Sequence, residues 1–579
     1  MTITPNALED LYAKIRARKA LRAAELEKLQ AEVEPAKLPE TLKPIEVLAK
    51  QKLPEPIDTR IRSLDKYGHE IVLNDKQTEF VNAISRGESV VLIGAAGTGK
   101  TTAQRAASEN LIQLGKAGVI RDFNHKHLKA GTPGLVITAY TRRAVNNIRK
   151  NVPEDLTTNC ITNHKFLEFE PVIYSVIDEK TGEEKKKMVF EPSRDKYNPI
   201  SSSVRCMIYE EASMLGLDLY NMNQDAMPHE HQEIFLGDIQ QLPPIFGPAI
   251  LGFKLQQLRV IELTEVYRQA LESPILRLAH RILSGVPIHP EQFEEWHFPE
   301  KLKLHPWKKK ISPTAATATI AHFFAQAADS GAYNPDEDMI LMPFNESFGT
   351  IEVNKHIATH LAWKRNALVH EIVAGYNKVY YAEGDKVMYE KNDGVITKIE
   401  TNSAYSGALY NKPSINLNYW GHRVGTKEEV GYNNTGAIDD VDFILSQVAG
   451  DKEDRVRQCS HRITILLSDS EKEVTIDTAS AVNGMLHGYA LTVHKAQGSE
   501  WRKVFLLFHQ SHAVMMQREL LYTAVTRAKE ELYVICEPET FVRGVESQRI
   551  KGNTLEEKAE YFKGKYSDVE VKGQNGSQN

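Results

Sequence analysis

The chain has 579 residues, 41% of them hydrophobic, and a formal net charge of −6, so it is too long for one core and three or four domains are expected. The acidic balance excludes a surface that attracts polyanions everywhere, and any nucleic-acid contact has to come from a local groove. Cys160, Cys206, Cys459 and Cys536 have no metal-ligand spacing and no apolar run is long enough to span a bilayer, which argues against a zinc module or a membrane protein and for a reducing, cytoplasmic setting.

Taken in chain order, Leu8, Leu11, Ile15, Leu26, Leu29 and Val33 recur near helical spacing, interrupted at Arg18 and Arg22, which predicts a solvated helix. Pro35, Pro39, Pro44, Pro54 and Pro56 follow, so residues 1–57 are expected to be that helix and a semi-extended tether. The β-branched run Val90-Val91-Leu92-Ile93 then feeds Gly94-Ala95-Ala96-Gly97-Thr98-Gly99-Lys100-Thr101. This is a P-loop in its proper setting: a strand turning through glycines into a helix start aims successive N–H groups, and the helix dipole, at one spot. Phosphates belong there, with Lys100 reaching the outer ones and the Thr101 hydroxyl on Mg²⁺.

Further strands are expected at Leu135 to Thr138, Met207 to Tyr209 and Glu233 to Leu236, and a second series at Met339 to Pro343, Val504 to Phe508 and Leu532 to Cys536. Their alternation with helical segments predicts two α/β domains with parallel sheets. Val172 to Ile177 and Met188 to Phe190 flank Asp178-Glu179-Lys180-Thr181-Gly182 and read as an inserted β-hairpin. Residues 386–483 change to short alternating segments, including Ile463 to Leu467 and Glu473 to Ile476, and predict a small β domain. The polar segment 549–579 reads as a flexible tail.

Two strand ends carry chemistry beside the P-loop. Met207-Ile208-Tyr209-Glu210-Glu211-Ala212-Ser213-Met214 ends in paired acids, one suited to hold the metal (Glu210) and one to activate water (Glu211). In Gly237-Asp238-Ile239-Gln240-Gln241-Leu242-Pro243-Pro244, Gln241 can orient that water. With Thr492-Val493-His494-Lys495-Ala496-Gln497-Gly498-Ser499-Glu500 and Tyr522-Thr523-Ala524-Val525-Thr526-Arg527-Ala528-Lys529, these stretches resemble, in order, the motifs of superfamily 1 helicases. The His-Lys-Ala-Gln-Gly form is similar to the RecD and phage Dda branch, superfamily 1B, and the likeness covers roughly residues 70–540.

That resemblance implies two RecA-like domains: 1A over 58–262 with a hairpin insert 1B at about 168–203, and 2A over 263–385 and 484–548 with an SH3-like insert 2B at 386–483. It implies ATP and Mg²⁺ as cofactors. Nucleotide would be held by Gln77, Gly94, Ala95, Ala96, Gly97, Thr98, Gly99, Lys100, Thr101, Thr102 and Glu500, and the metal by Thr101 and Glu210. Lys100, Glu210, Glu211, Gln241 and two second-domain arginines, Arg268 and Arg527, would be catalytic. Tyr140, Thr141, His164, Thr492 and His494 would contact DNA, and Tyr174 or Phe190 would separate strands. Glu210 stands where Asp is usual in the family. The implied function is an ATP-dependent DNA helicase moving 5′ to 3′; the alternatives are a DNA-stimulated ATPase that remodels protein on DNA, or an RNA helicase. Implied partners are single-stranded DNA, duplex junctions, and a replication or recombination protein at the N-terminal helix or C-terminal tail.

Overall fold

Strands made of unbroken apolar runs need cover on both faces, and alternate residues therefore enter two different cores. In the computed structural model, Val90 and Leu92 of strand Val90–Gly94 pack into one cluster while Val91 and Ile93 pack into another. The structure describes residues 62–64, 70–117, 134–177, 184–244, 247–265, 272–306, 312–346, 348–375, 377–389, 392–403, 405, 458–468, 472–566, 569 and 571. The expected N-terminal helix and tether, the hairpin turn, and Arg268 lie outside them.

The first sheet has six parallel strands in the order Arg259–Leu263, Val90–Gly94, Gln232–Gly237, Val204–Tyr209, Gly134–Ala139, Cys160–Thr162. The second has five, also parallel: Leu302–Pro306, Ala528–Cys536, Trp501–Phe508, Met339–Met342, Ala490–Thr492. Here Val504, Leu506 and Phe508 face one core and Phe505 and Leu507 the other. Crossover connections bring the loops after these strands to one edge of each sheet, where ligands of open α/β sheets bind.

An antiparallel sheet is inserted in the second unit, and it corrects the expected boundary. It begins with Val369–Ala374 and Asn377–Ala382, ahead of residue 386, and closes with Leu486–His487. Val369–Ala374 buries Ile372 and Ala374 and pairs antiparallel with Asn377–Ala382 and with Gln458–Leu467, which places both strands in the β insert and not in the helix-covered parallel sheet. The hairpin pairs Phe169–Ile177 with Glu184–Pro192. Its root is clamped: the Arg194 guanidinium donates to both oxygens of Glu168, at 2.8 and 3.0 Å, while Ser193 N–H donates to the Glu168 carbonyl at 3.1 Å.

The expected flexible C-terminal tail is overturned over Leu555–Lys565, which form a helix opened by a capping box between Thr554 and Glu557. Phe562 is buried against Gly252, where any Cβ would collide with the ring. Lys558, buried, donates to the Ile550 carbonyl at 3.1 Å. Phe562, Leu555 and Tyr566 complete the core under Phe253, and that apolar set is too sparse within a polar segment to read as a helix face. All four cysteines are buried and unpaired, and no helix among the described residues is long and apolar enough to cross a membrane.

Candidate nucleotide site and nucleic-acid face

The P-loop geometry follows from its glycines. Gly99, at φ 83°, is the N-cap of the helix Lys100–Gln113 and offers no side chain to its first N–H groups, which leaves them for an anion. Thr98 Oγ1 donates to the Ala95 carbonyl at 2.8 Å and tightens the turn, and Lys100 Nζ lies inside the loop, donating to the Gly94 and Ala95 carbonyls. Gln77 is buried behind the loop: Nε2 donates to the Gly99 carbonyl at 3.1 Å and Oε1 accepts from Asn74 N–H at 3.0 Å. In this structure Gln77 supports the loop from behind.

Across from the loop, Glu210 and Glu211 follow the buried strand Val204–Tyr209. Burial first, then the Glu211 charge, push the Glu210 carboxyl up to about 8, against the pull of Lys100. Two acids of which one is this reluctant to ionise are suited to a cation. Glu211 takes the left-handed backbone region at φ 50°, a strained conformation for a side chain and one found at functional turns. Gln241 is buried, and its Oε1 has no hydrogen-bond partner among the described residues. The loop's N–H donors, the paired acids and this unsatisfied amide oxygen fit a magnesium nucleotide.

The two sheets meet at these loops. Tyr522 Oη, from helix Arg518–Val525, donates to Asp238 Oδ2 at 2.6 Å and accepts from the P-loop Ala96 N–H at 2.8 Å. Thr523 Oγ1 accepts from Leu242 N–H at 3.0 Å, and Gln497 Nε2 donates to the Leu242 carbonyl at 2.9 Å. Arg527 is not brought to the P-loop. Its guanidinium donates within its own domain, to Thr523 and Ser499 carbonyls and Thr526 Oγ1, at 3.0 to 3.1 Å, because those acceptors close around it at the helix end. Glu500 is exposed and pairs with Lys529 at 3.4 Å; no contact places it at the loop.

The candidate nucleic-acid face is an aromatic row beside a cationic cluster. Tyr140 and His164 rings lie 5.6 Å apart, and His164 and Phe169 5.0 Å apart, all edge-on. Nearby, burial and then the charges of Arg149 and Arg142 hold the Lys165 ammonium below its usual range, so three cations share a small area of an acidic protein. Thr141 caps the helix Arg142–Arg149, accepting from Ala144 N–H at 3.1 Å. Thr492 is buried and its hydroxyl accepts from Lys495 N–H at 3.3 Å, so it shapes the turn that holds the half-buried His494. Phe190 is half-buried opposite Pro171 in the hairpin; the Tyr174 side chain lies outside the described residues. Phe169, Arg142, Lys165 and Tyr522 were not singled out from the sequence, although each sits in or beside a motif.

Gly498 joins this face to the second sheet. At φ 75° its backbone lies against the Arg142–Arg149 helix, where a Cβ would stand 2.7 Å from Ala144 Cβ and 3.1 Å from Thr141 Oγ1. Gly498→Ala is expected to cost about 1–3 kcal/mol of backbone strain and to push the two loops apart. Thermal unfolding together with DNA-stimulated ATPase checks this, and normal values for both would contradict the contact's importance.

A model described as an AAA domain matches residues 77–247, and one described as a UvrD-like helicase C-terminal domain matches 487–535. The ATP-dependent RecD2 DNA helicase of Deinococcus radiodurans is 24% identical over 462 residues, which cover 80% of this chain and 48% of the relative. The RecD subunit of the RecBCD enzyme of Buchnera aphidicola is 21% identical over 361 residues, 58% of this chain and 55% of the relative. This chain therefore spans about half the length of those relatives. A Bacteroides Pif1 helicase solved with ADP-AlF3 and single-stranded DNA superposes with a TM-score of 0.44 at 14% identity, over 85% of this chain and 98% of that one. The nucleotide motifs in order on two parallel sheets and these sequence matches make the chain similar to superfamily 1B helicases of the RecD type.

Proposed function

We propose that the chain is an ATP-dependent DNA helicase that moves 5′ to 3′ along single-stranded DNA and separates duplex at a junction. What carries this is that the two sheets touch both at the nucleotide loops, the P-loop against Tyr522, and at the helix start Thr141 to Ala144, which lies against Gly498. A change of spacing at the nucleotide is thereby a change of spacing under the strand-gripping face. The direction comes from the likeness to superfamily 1B.

ATP with Mg²⁺, when bound, supplies the phosphoryl bond whose cleavage drives the cycle. The chain's own groups do the rest. Lys100 and the loop N–H groups would neutralise phosphate charge, Thr101 and Glu210 would hold the metal, Glu211 would take the proton from water, and Gln241 Oε1 would orient that water. Arg527 and Arg268 are the cationic groups of the second domain that closure would bring to the phosphates.

Tyr140, His164 and Phe169 offer ring faces and edges to bases, and Arg142 and Lys165 offer charge to phosphates. The hairpin acts as a wedge. Opening one duplex step costs about 1.4 kcal/mol, and one aromatic stack returns about 1–3 kcal/mol, so Phe190 or Tyr174 suffices if the hairpin is rigid. The Glu168–Arg194 clamp makes its root so.

The test is strand displacement on 5′-tailed against 3′-tailed duplexes, with ATP. Displacement of the 5′-tailed substrate is expected, and displacement of the 3′-tailed one alone would overturn the direction. Arg194→Ala should lower displacement far more than DNA-stimulated ATPase. DNA-stimulated ATPase without displacement by the unmutated chain would favour the remodelling function, and stimulation by RNA alone the RNA helicase.

A further inference from the structure

Tyr522 combines three properties that a packing residue does not need. It is 1% exposed, it belongs to the second domain, and its hydroxyl is bonded on both sides to the nucleotide loops of the first. A phenol has one proton, so donating to Asp238 fixes its lone pairs toward Ala96 N–H. Burial, then the Asp238 charge, raise the phenol far above its ordinary range, and the proton stays on the ring oxygen.

Ala96 lies within the stretch whose N–H groups are built to receive anions. A phosphate oxygen and the Tyr522 hydroxyl are therefore competitors for one donor. Lys100 starts the helix, and Ala96 lies four residues before it toward the strand end, so the outermost phosphate of a triphosphate is the group suited to reach Ala96.

Asp238 carries the consequence onward. Its second oxygen accepts from Gln240 N–H at 2.9 Å, its carbonyl accepts from Gln241 N–H at 3.1 Å, and Gln241 ends in the unsatisfied buried oxygen. The next residue of the same helix, Thr523, holds Leu242 N–H at 3.0 Å. One helix of the second domain thus grips the P-loop and the Asp238 to Leu242 loop together.

We propose that the Tyr522 hydroxyl is a place-holder on the phosphate loop, which the terminal phosphate of a nucleoside triphosphate displaces from Ala96 N–H and a diphosphate does not. Displacement loosens the bond to Asp238 and so reports the triphosphate state to Gln241 and to the second domain. Tyr522 is then a positioning residue that discriminates nucleotide state, and this rests on the nucleotide site described above.

The experiment is equilibrium titration of the full chain with ATPγS and with ADP, for the unmutated protein and for Tyr522→Phe, which keeps the ring and removes only the competitor. Loss of one hydrogen-bonded competitor should tighten ATPγS by about three- to tenfold and leave ADP within about twofold, which raises the affinity ratio. The ratio of DNA-stimulated to basal kcat should fall in the same variant. If Tyr522→Phe does not fold, Asp238→Asn, which weakens the anchor of the hydroxyl, should move the affinity ratio in the same direction. An unchanged ATPγS to ADP ratio in the folded variants, whatever the change in stability, would overturn the proposal alone. Failure of the unmutated chain to bind either nucleotide would overturn the nucleotide site with it.

Discussion

Lys100→Ala is expected to lower ATP turnover at least about a hundredfold, the scale on which a single preorganised donor to developing charge acts. Lys100 Nζ already lies in the loop, held by the Gly94 and Ala95 carbonyls. Its ammonium is therefore positioned before any phosphate arrives and needs no reorganisation to meet one. Those two bonds are to loop carbonyls on a partly exposed side chain, so their loss should cost only about 0.5–1.5 kcal/mol each, and the fold should survive. Turnover by steady-state ATPase, with circular dichroism as the control, checks the pair of outcomes. A folded variant with unchanged turnover would remove Lys100 from the site.

Glu211→Gln is expected to lower kcat by about 10²- to 10⁴-fold, the usual contribution of a general base, while nucleotide and DNA affinities stay near those of the unmutated chain. The amide keeps the size of the side chain at its strained φ of 50° but cannot accept the proton. Glu210→Asp, which restores the usual metal ligand, should retain turnover, so equal losses in the two variants would refute the division of roles. Glu210 also makes a pH signature. Its folded pKa is raised to about 8, so the protonated form is favoured by folding. The associated stability is fully present below the ordinary carboxylate range and is lost as pH rises through about 8. In magnesium-free buffer, Glu210→Gln should therefore gain in thermal midpoint over the unmutated chain as pH increases from 5 toward 9.

How legible the molecule was depended on how local the cause was. Val90–Gly94 was readable to the residue because it is buried on both faces and ends in glycines, both of which are written in consecutive residues. Cys160–Thr162, Arg259–Leu263, Leu302–Pro306 and Ala490–Thr492 escaped notice. They are short edge strands of their sheets, held by a neighbour on one side only, and their apolar runs are too brief to stand out. The Leu555–Lys565 helix escaped for a related reason: its stability lies in Phe562 meeting Gly252, two residues far apart in sequence.

For the site, the sequence by itself determined which residue types stand at the strand ends, and hence the family likeness, because a phosphate nest, a pair of acids and a strand-end glutamine are local devices. Only the tertiary structure decided what touches what. It turned Arg527 inward to Thr523 and Ser499, engaged Gln77 behind the loop, and set the Tyr522 hydroxyl between Ala96 and Asp238. The Arg527 and Gln77 bonds lie within one domain and depend on how a helix end or a loop closes, whereas the Tyr522 bonds join residues hundreds of positions apart across two sheets and depend on how those sheets dock, a quantity that no stretch of the chain encodes alone.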